Sequence, residues 1–205
     1  MKLDSSYIKK RYDRIAPYFD GMEAIMEGFF FNRRRQRLWQ KVNGHHILEV
    51  GVGTGKNFDY YPKDAKITAI DFSDNMLKQA QRKRARKQTQ VDLDNMDVER
   101  LYFADNSFDT VVASFVFCSV PAPLKGLKEL HRVCKPGGQV LLLEHVRSSN
   151  PILARLMDLL NPITVRLFGA NINRNTVKNV QACGFKSVWV DGQSNDIIKL
   201  IEAQK

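Results

Sequence analysis

The sequence predicts an α/β fold in which a mostly parallel, seven-stranded sheet carries helices on both faces. Three observations predict it. Short apolar runs of strand length recur along the chain, separated by segments of helical periodicity, the alternation that gives a parallel sheet covered on both sides. The first run, Ile47-Leu48-Glu49-Val50, ends in glycines at alternate positions, Gly51, Gly53 and Gly55. Late in the alternation, Lys135-Pro136-Gly137-Gly138 is turn chemistry that stops a helix and starts a strand.

Residues 4–42 read as two helices, because Tyr7, Ile8, Tyr12, Ile15 and Phe19 recur at helical spacing with Pro17 interrupting. Strands are expected near 46–50, 66–70, 91–95, 109–115 and 138–145. The helices between them start near Asn57, Asp74 and Pro123, the last with its body over Gly126–Cys134. Residues 147–174 form a stretch with helices of its own. A helix over Thr176–Cys183 stops at Gly184, and strands over Phe185–Val190 and Asp196–Ile201 follow. The whole reads as one domain, 1–205: a helical N-terminal segment (1–44), a ligand-binding core (45–146), a substrate-side insertion (147–174) and a final helix and hairpin (175–205).

Composition narrows the class. At 205 residues, 43% hydrophobic and 26% charged, the chain has the balance of an ordinary globular domain. No apolar run approaches the ~20 residues that span a bilayer, and Met1–Ser6 lacks a signal-peptide core. Cys118, Cys134 and Cys183 are odd in number and widely spaced, which predicts reduced thiols and a cytoplasmic setting rather than a disulfide framework. Metal-ligand spacing is absent, so no metal is expected. A net charge of +10 implies attraction to a polyanion, either nucleic acid or anionic lipid.

The glycines after the first strand let the backbone turn sharply and approach a ligand with no Cβ in the way. The second strand, Lys66–Ile70, ends in Asp71, twenty residues beyond Gly51, where a carboxylate can accept from both hydroxyls of a ribose. A dinucleotide site uses G-x-G-x-x-G, with a helix N-terminus facing a pyrophosphate. Here the third glycine comes one residue early, and Lys56 stands where that pattern needs glycine. Glu49 adds negative charge, which repels a pyrophosphate and suits a cation. S-adenosylmethionine (SAM) carries a sulfonium and an α-ammonium but no phosphate, so the sequence favours SAM, with S-adenosylhomocysteine as product.

The stretch Leu48–Gly55 resembles the first motif of class I SAM-dependent methyltransferases of the type 11, ubiquinone/menaquinone methyltransferase-like group. The likeness continues through Ala69–Leu77, Asp105–Asp109 and Leu130–Gly138, four ordered motifs over residues 45–147. It implies a Rossmann-like sheet closed by an antiparallel hairpin. By that resemblance Gly51, Gly53 and Gly55 approach the methionine part of SAM, and Glu49 helps to hold its ammonium through water or backbone. Asp71 takes the ribose, and Phe72 and Met76 flank the adenine. Met96, Asp97 and Val98 sit where the family accepts from the adenine amino group, and Ser114 lies under the sulfonium. Tyr12–Asp20 is similar to the N-terminal signature of quinone C-methyltransferases and bacterial phosphatidylethanolamine N-methyltransferases, where this segment folds over SAM. Tyr18 is thereby a candidate SAM contact and Tyr12 a candidate lid residue facing the substrate.

Methyl transfer is an in-line displacement that asks mainly for alignment and exclusion of water. A base is needed only when the nucleophile arrives protonated. Glu144 and His145 end the fifth strand, and one of the pair should face the cleft; His145, with an ordinary pKa near ~6.5, can deprotonate an amine or thiol. His45, His46 and His131 read as structural. Leu167–Arg174 is similar to a Gly-x-(His or Asn)-x-x-Arg element of phospholipid and thiol methyltransferases, which makes Asn171 and Arg174 candidate acceptor-pocket residues. Those relatives often have Cys where this chain has Ala170.

The acceptor is the least determined part. Met22, Ile25, Met26, Phe29, Phe30 and Phe31 precede Arg33, Arg34, Arg35, Arg37 and Trp39, an apolar face beside a basic one that suits an anionic bilayer surface. The Phe29–Arg37 region is therefore the expected membrane contact, whereas Arg82–Lys87 reads as either a helix face in water or part of the same attraction. Nucleic acid competes for this charge. However, the fourth strand runs into Ser114–Pro121, not the Asn/Asp-Pro-Pro-aromatic element of adenine-N6 methyltransferases. The leading expectation is a small lipophilic or membrane-associated acceptor, phosphatidylethanolamine-like. A thiol and a quinone carbon come next, and an RNA-binding SAM-dependent module is the reading from another class.

Overall fold

The computed structural model describes residues 4–26, 31–191 and 196–205. Three helices come first: α1 (Ser5–Ile15), α2 (Phe19–Met26) and α3 (Asn32–Gln40). Alternation follows, with β1 (His46–Val50), β2 (Lys66–Asp71), α4 (Asp74–Lys87), β3 (Asp92–Asn95), β4 (Phe108–Ser114), α5 (Pro123–Val133) and β5 (Cys134–His145). The chain continues through α6 (Pro151–Phe168), α7 (Thr176–Gln181), β6 (Ser187–Val190) and β7 (Ile198–Gln204).

All seven strands join one sheet in the order β3-β2-β1-β4-β5-β7-β6. Strands β1 to β5 pair in parallel, and β7 runs antiparallel between β5 and β6. Alternation along β1 shows why the sheet needs cover on both faces. Leu48 and Val50 pack with Val111, Leu142 and the α5 residues Leu127 and Leu130. Ile47 packs on the other side with Val112 and Leu141, against Leu38 and Trp39 of α3 and Leu77 and Ala80 of α4.

Three elements depart from expectation, each for a local reason. Among its described residues the N-terminal segment holds three helices rather than two: α1 closes at Ile15 ahead of Pro17, and α2 begins afresh at Phe19. The helix expected near Asn57 is a single 3-10 turn, Phe58–Tyr60; Pro62 holds Tyr61 extended at φ −63°, ψ 132°, and the Asn57 side chain is engaged elsewhere. Lys135–Gly138 is a bulge at the start of β5, because the pairing steps from Phe108↔Cys134 to Thr110↔Gln139, two residues against five. The 147–174 stretch is built on one long helix, α6, whose N-cap Asn150 accepts from the Ile152 and Leu153 N–H groups at 3.0 and 3.2 Å. Among the described residues no helix is long and apolar enough to cross a membrane.

The strand order reverses at β1, whose neighbours β2 and β4 lead away in opposite directions, and ligands in such sheets bind beyond the strand ends at that point. The glycine turn lies there. Gly51 (φ +69°) has no room for a side chain, since a Cβ would sit 2.4 Å from Val116 Cγ2; at Gly53 (φ +54°) a Cβ would meet nothing within 4 Å. Gly51→Ala should therefore cost about 2–4 kcal/mol in urea unfolding, from left-handed backbone plus overpacking. Gly53→Ala should cost only about 1–2 kcal/mol, the backbone part alone.

Candidate functional site

A cavity of about 450 Å³ opens at the carboxyl ends of β1, β2 and β4 and is roofed by the N-terminal helices. Asp71 organises its floor. One carboxylate oxygen accepts from the Gly53 N–H and the other from the Ser73 N–H, each at 2.9 Å, so the acid joins the glycine turn to the start of α4. Burial pushes its pKa up to about 6, against those backbone bonds, which lower it. Phe72, Met76, Met96, Asp97 and Val98 continue the wall from β2 and β3, and Gly51, Gly53 and Ser114 complete the strand-end side.

A buried polar cluster backs that side. Arg35 of α3 is 5% exposed and donates to Ser114 Oγ at 2.9 Å and Asn57 Oδ1 at 3.2 Å, with its guanidinium 5.2 Å from the Phe115 ring. Asn57 donates to Ser114 and to Glu49, which also accepts from the Tyr61 hydroxyl. Glu49 is fully buried, and burial raises it to about 6. It thus lies behind the cavity wall rather than in it, and is linked to the site through Asn57 and Ser114.

The roof is tied down by two aspartates. Asp13 of α1 accepts from Ser73 Oγ at 2.6 Å and from the Asn75 N–H at 3.1 Å, at the N-terminus of α4. Asp20 of α2 accepts from Thr54 Oγ1 at 2.6 Å, in the glycine turn, and from Lys83 at 3.0 Å. Between them Tyr12 reaches the cavity, its hydroxyl 2.6 Å from Ser119 Oγ and its ring 6.0 Å from that of Phe72. Tyr18 points away and is 72% exposed; Phe19 lines the cavity instead.

On the far side stand His145, Cys118, Asn171, Ile172 and Phe168. Burial lowers His145 below its ordinary range, and its Nδ1 is buried without a hydrogen-bond partner among the described residues. Asn171 bonds the Cys118 carbonyl through both its backbone N–H (2.8 Å) and its Nδ2 (3.0 Å). Cys118 is no nucleophile, because burial raises its thiol to about 12. Glu144 faces away from the cavity: one oxygen accepts from the Val116 and Phe117 N–H groups at 3.0 and 3.1 Å, and the other is buried without a hydrogen-bond partner among the described residues. Arg174 also stays behind the wall, donating to the Val120 carbonyl at 2.9 Å. Gly55 is buried under the Phe58 ring, outside the wall.

Sequence reasoning missed Arg35, Phe19 and Ser119. Arg35 carried a readable signal: it precedes Leu38 by three residues and Trp39 by four, and so shares their inward face. In the arginine cluster Arg35 is buried and Arg37 pairs with Asp191 at 2.8 Å, so these two do not belong to an open basic surface. Phe29 and Phe30, and the side chains of Ile25 and Met26, lie outside the described residues.

Residues 48–142 match the methyltransferase domain family. A phosphatidylethanolamine N-methyltransferase of Cereibacter sphaeroides is 36% identical over 157 residues, 75% of either chain. The chain belongs to the class I SAM-dependent methyltransferases. A thiol S-methyltransferase of Rattus norvegicus is 33% identical over 154 residues, 72% of this chain and 62% of that protein. A demethylmenaquinone methyltransferase of Renibacterium salmoninarum is 32% identical over 169 residues, 80% and 68% respectively. In fold, a SAM-dependent methyltransferase from Thermotoga maritima superposes with a TM-score of 0.74 at 21% identity, over 96% of this chain and 99% of that one.

The methyltransferase site fits its cofactor on its own terms. The cavity is of ligand size, Gly53 leaves open room beside Asp71, and the described wall combines one guanidinium with apolar and aromatic surface.

Glu144 gives this site a pH signature in folding. Burial lifts it from 4.5 to about 7, so the folded state holds a proton that the unfolded state releases, and its contribution to stability falls as pH rises through that interval. Glu144→Gln removes the proton while keeping the acceptor. Relative to wild type it should gain about 2–3 kcal/mol in denaturant unfolding between pH 4.5 and 8; a flat difference would contradict the buried, protonated carboxyl.

Proposed function

We propose that this methyltransferase acts on a small lipophilic acceptor, with a phospholipid amine as the leading case. The observation that carries the reading is the character of the wall beyond the strand ends. Ile15, Phe19, Met22, Phe31, Val120 and Ile172 make it apolar, with His145 as a titratable group beside them. Such a wall suits an acyl-bearing or hydrophobic molecule and offers little to a highly charged one. The name of the Cereibacter sphaeroides relative supports the amine.

In this reading Asp71 accepts from the ribose, Phe72, Met76, Met96 and Val98 enclose the adenine, and Asp97 accepts from its amino group. Gly51 and Gly53 leave room for the amino-acid part, and Arg35, beyond the ends of β1 and β4, attracts its carboxylate. Bound SAM supplies an electrophilic methyl group. Burial lowers the pKa of His145 and so favours its neutral form, which can take a proton from an incoming ammonium. Tyr12 and Ser119 close the wall above, and Asn171 holds the Cys118 segment in place. A thiol acceptor is the second reading, supported by the name of the rat relative and by the same histidine.

Radiolabelled SAM offered with phosphatidylethanolamine vesicles, alkyl thiols or demethylated quinones separates these acceptors. Label in the phospholipid headgroup is expected; label in a thiol or quinone alone would overturn the leading case. Asp71→Ala should weaken SAM by roughly 1.5–3 kcal/mol in calorimetry, the value of hydrogen bonds to a charged acceptor. His145→Ala should lower kcat about 10²-fold at neutral pH while leaving SAM affinity unchanged. Wild-type turnover in that variant would remove His145 from proton transfer.

A further inference from the structure

Helix α6 carries an apolar stripe that faces solvent. Ile152, Leu156, Leu159, Leu160, Ile163 and Leu167 are all exposed, with Ile152 at 79%, Leu159 at 73% and Ile163 at 55%. At 100° per residue they fall within an arc of roughly 100° on one side of the helix. The opposite side is anchored to the protein: Ala154 and Met157 are buried, and Asn161 bonds Asn171 and the Ile172 N–H. Six large side chains in one continuous stripe exceed the scattered apolar exposure of an ordinary surface.

Charge says what covers this stripe. Arg155 and Arg166 are exposed and fall on one edge of the arc, where long basic side chains reach from an apolar layer to phosphate groups. The one acid of the helix, Asp158, lies off the stripe and is paired with Arg147 at 2.7 Å. The stripe therefore presents apolar surface edged by positive charge, on a chain of net charge +10. A second protein copy would present the same arginines to its partner, whereas an anionic bilayer complements both features.

The helix also ends at the cavity. Its last residue, Phe168, lines the wall, Gly169 terminates the helix at φ +74°, and Arg11 of α1 donates to the Leu167 carbonyl at 2.8 Å. We propose that α6 is an interfacial helix that lies in the surface of an anionic membrane and places the cavity mouth against the lipid. This rests on the lipophilic-acceptor reading only for its purpose; the docking itself does not require that reading. It places a membrane contact on an element well beyond the Phe29–Arg37 region expected from sequence, part of which lies outside the described residues.

The test is co-sedimentation of the full chain with phosphatidylcholine vesicles, with and without phosphatidylglycerol, comparing wild type with Leu159→Glu/Ile163→Glu and with Arg155→Glu/Arg166→Glu. None of these residues lines the cavity, so calorimetric SAM affinity reports that each variant is folded. Wild type should bind the anionic vesicles. The apolar pair should reduce binding at least about tenfold at any salt concentration, and the arginine pair should do so mainly at low salt. Unchanged binding in both variants would overturn the proposal. So would a wild-type dimer in sedimentation velocity that the apolar pair dissolves without any vesicle binding, which would assign the stripe to a second copy. Docking without methylation of any phospholipid would leave this helix assignment standing and remove the phospholipid-amine case. Methylation of a short-chain, monomeric acceptor without vesicle binding would do the reverse.

Discussion

The site depends on one carboxylate that bonds two turns at once. Asp71 accepts from the Gly53 N–H with one oxygen and from the Ser73 N–H with the other, so the end of β1 and the start of α4 are held in a fixed relation. Burying an acid costs free energy, visible in the rise of its pKa to about 6, and two backbone donors offset that cost only in part. Asp71 also lines the cavity. A group held near its titration point, with acceptor capacity left over, is poised for a ligand whose hydroxyls complete its hydrogen bonding.

The same economy recurs in the roof. Asp13 and Asp20 lie in the short segment Tyr12–Asp20, interrupted at Pro17, and each reaches down to an element of the floor: Asp13 to the N-terminus of α4, Asp20 to the glycine turn and Lys83. The aromatic residues beside them, Tyr12 next to Asp13 and Phe19 next to Asp20, are thereby fixed over the cavity. The family resemblance points to Tyr18 there, because a motif does not show how the chain restarts its helical phase after Pro17, whereas helical spacing includes Phe19. A shift of one residue exchanged an exposed tyrosine for a lining phenylalanine.

The sheet was legible because its signals are local. Apolar runs mark the strands, glycines mark the switch point, and Asp71 marks the end of β2. The less legible parts depend on contacts distant in sequence. Arg35 looked like a member of a surface cluster, but its neighbours Leu38 and Trp39 turn it toward Ser114, 79 residues away. Glu144 and His145 are adjacent, and because a strand sends consecutive side chains to opposite faces only one of them can face the cleft; which one needed the packed structure, where Glu144 holds the turn after β4 and His145 lines the cavity. Glu49, which the resemblance links to the ammonium through water or backbone, is fully buried in a hydrogen-bonded cluster with Asn57 and Tyr61. The solvent-facing stripe of α6 needed the packed structure, since the same periodicity describes a helix buried on that face.

These features make a methyltransferase whose polar chemistry is concentrated at the strand ends and whose remaining walls are apolar. The most direct measurement of that arrangement is the affinity of the wild-type chain for S-adenosylhomocysteine between pH 5 and 8. If Asp71 must be ionised to accept from the ribose, affinity is flat above its pKa of about 6 and falls by up to tenfold per pH unit below it, on the order set by proton linkage. Binding that is independent of pH across this range, or absent throughout, would contradict the account.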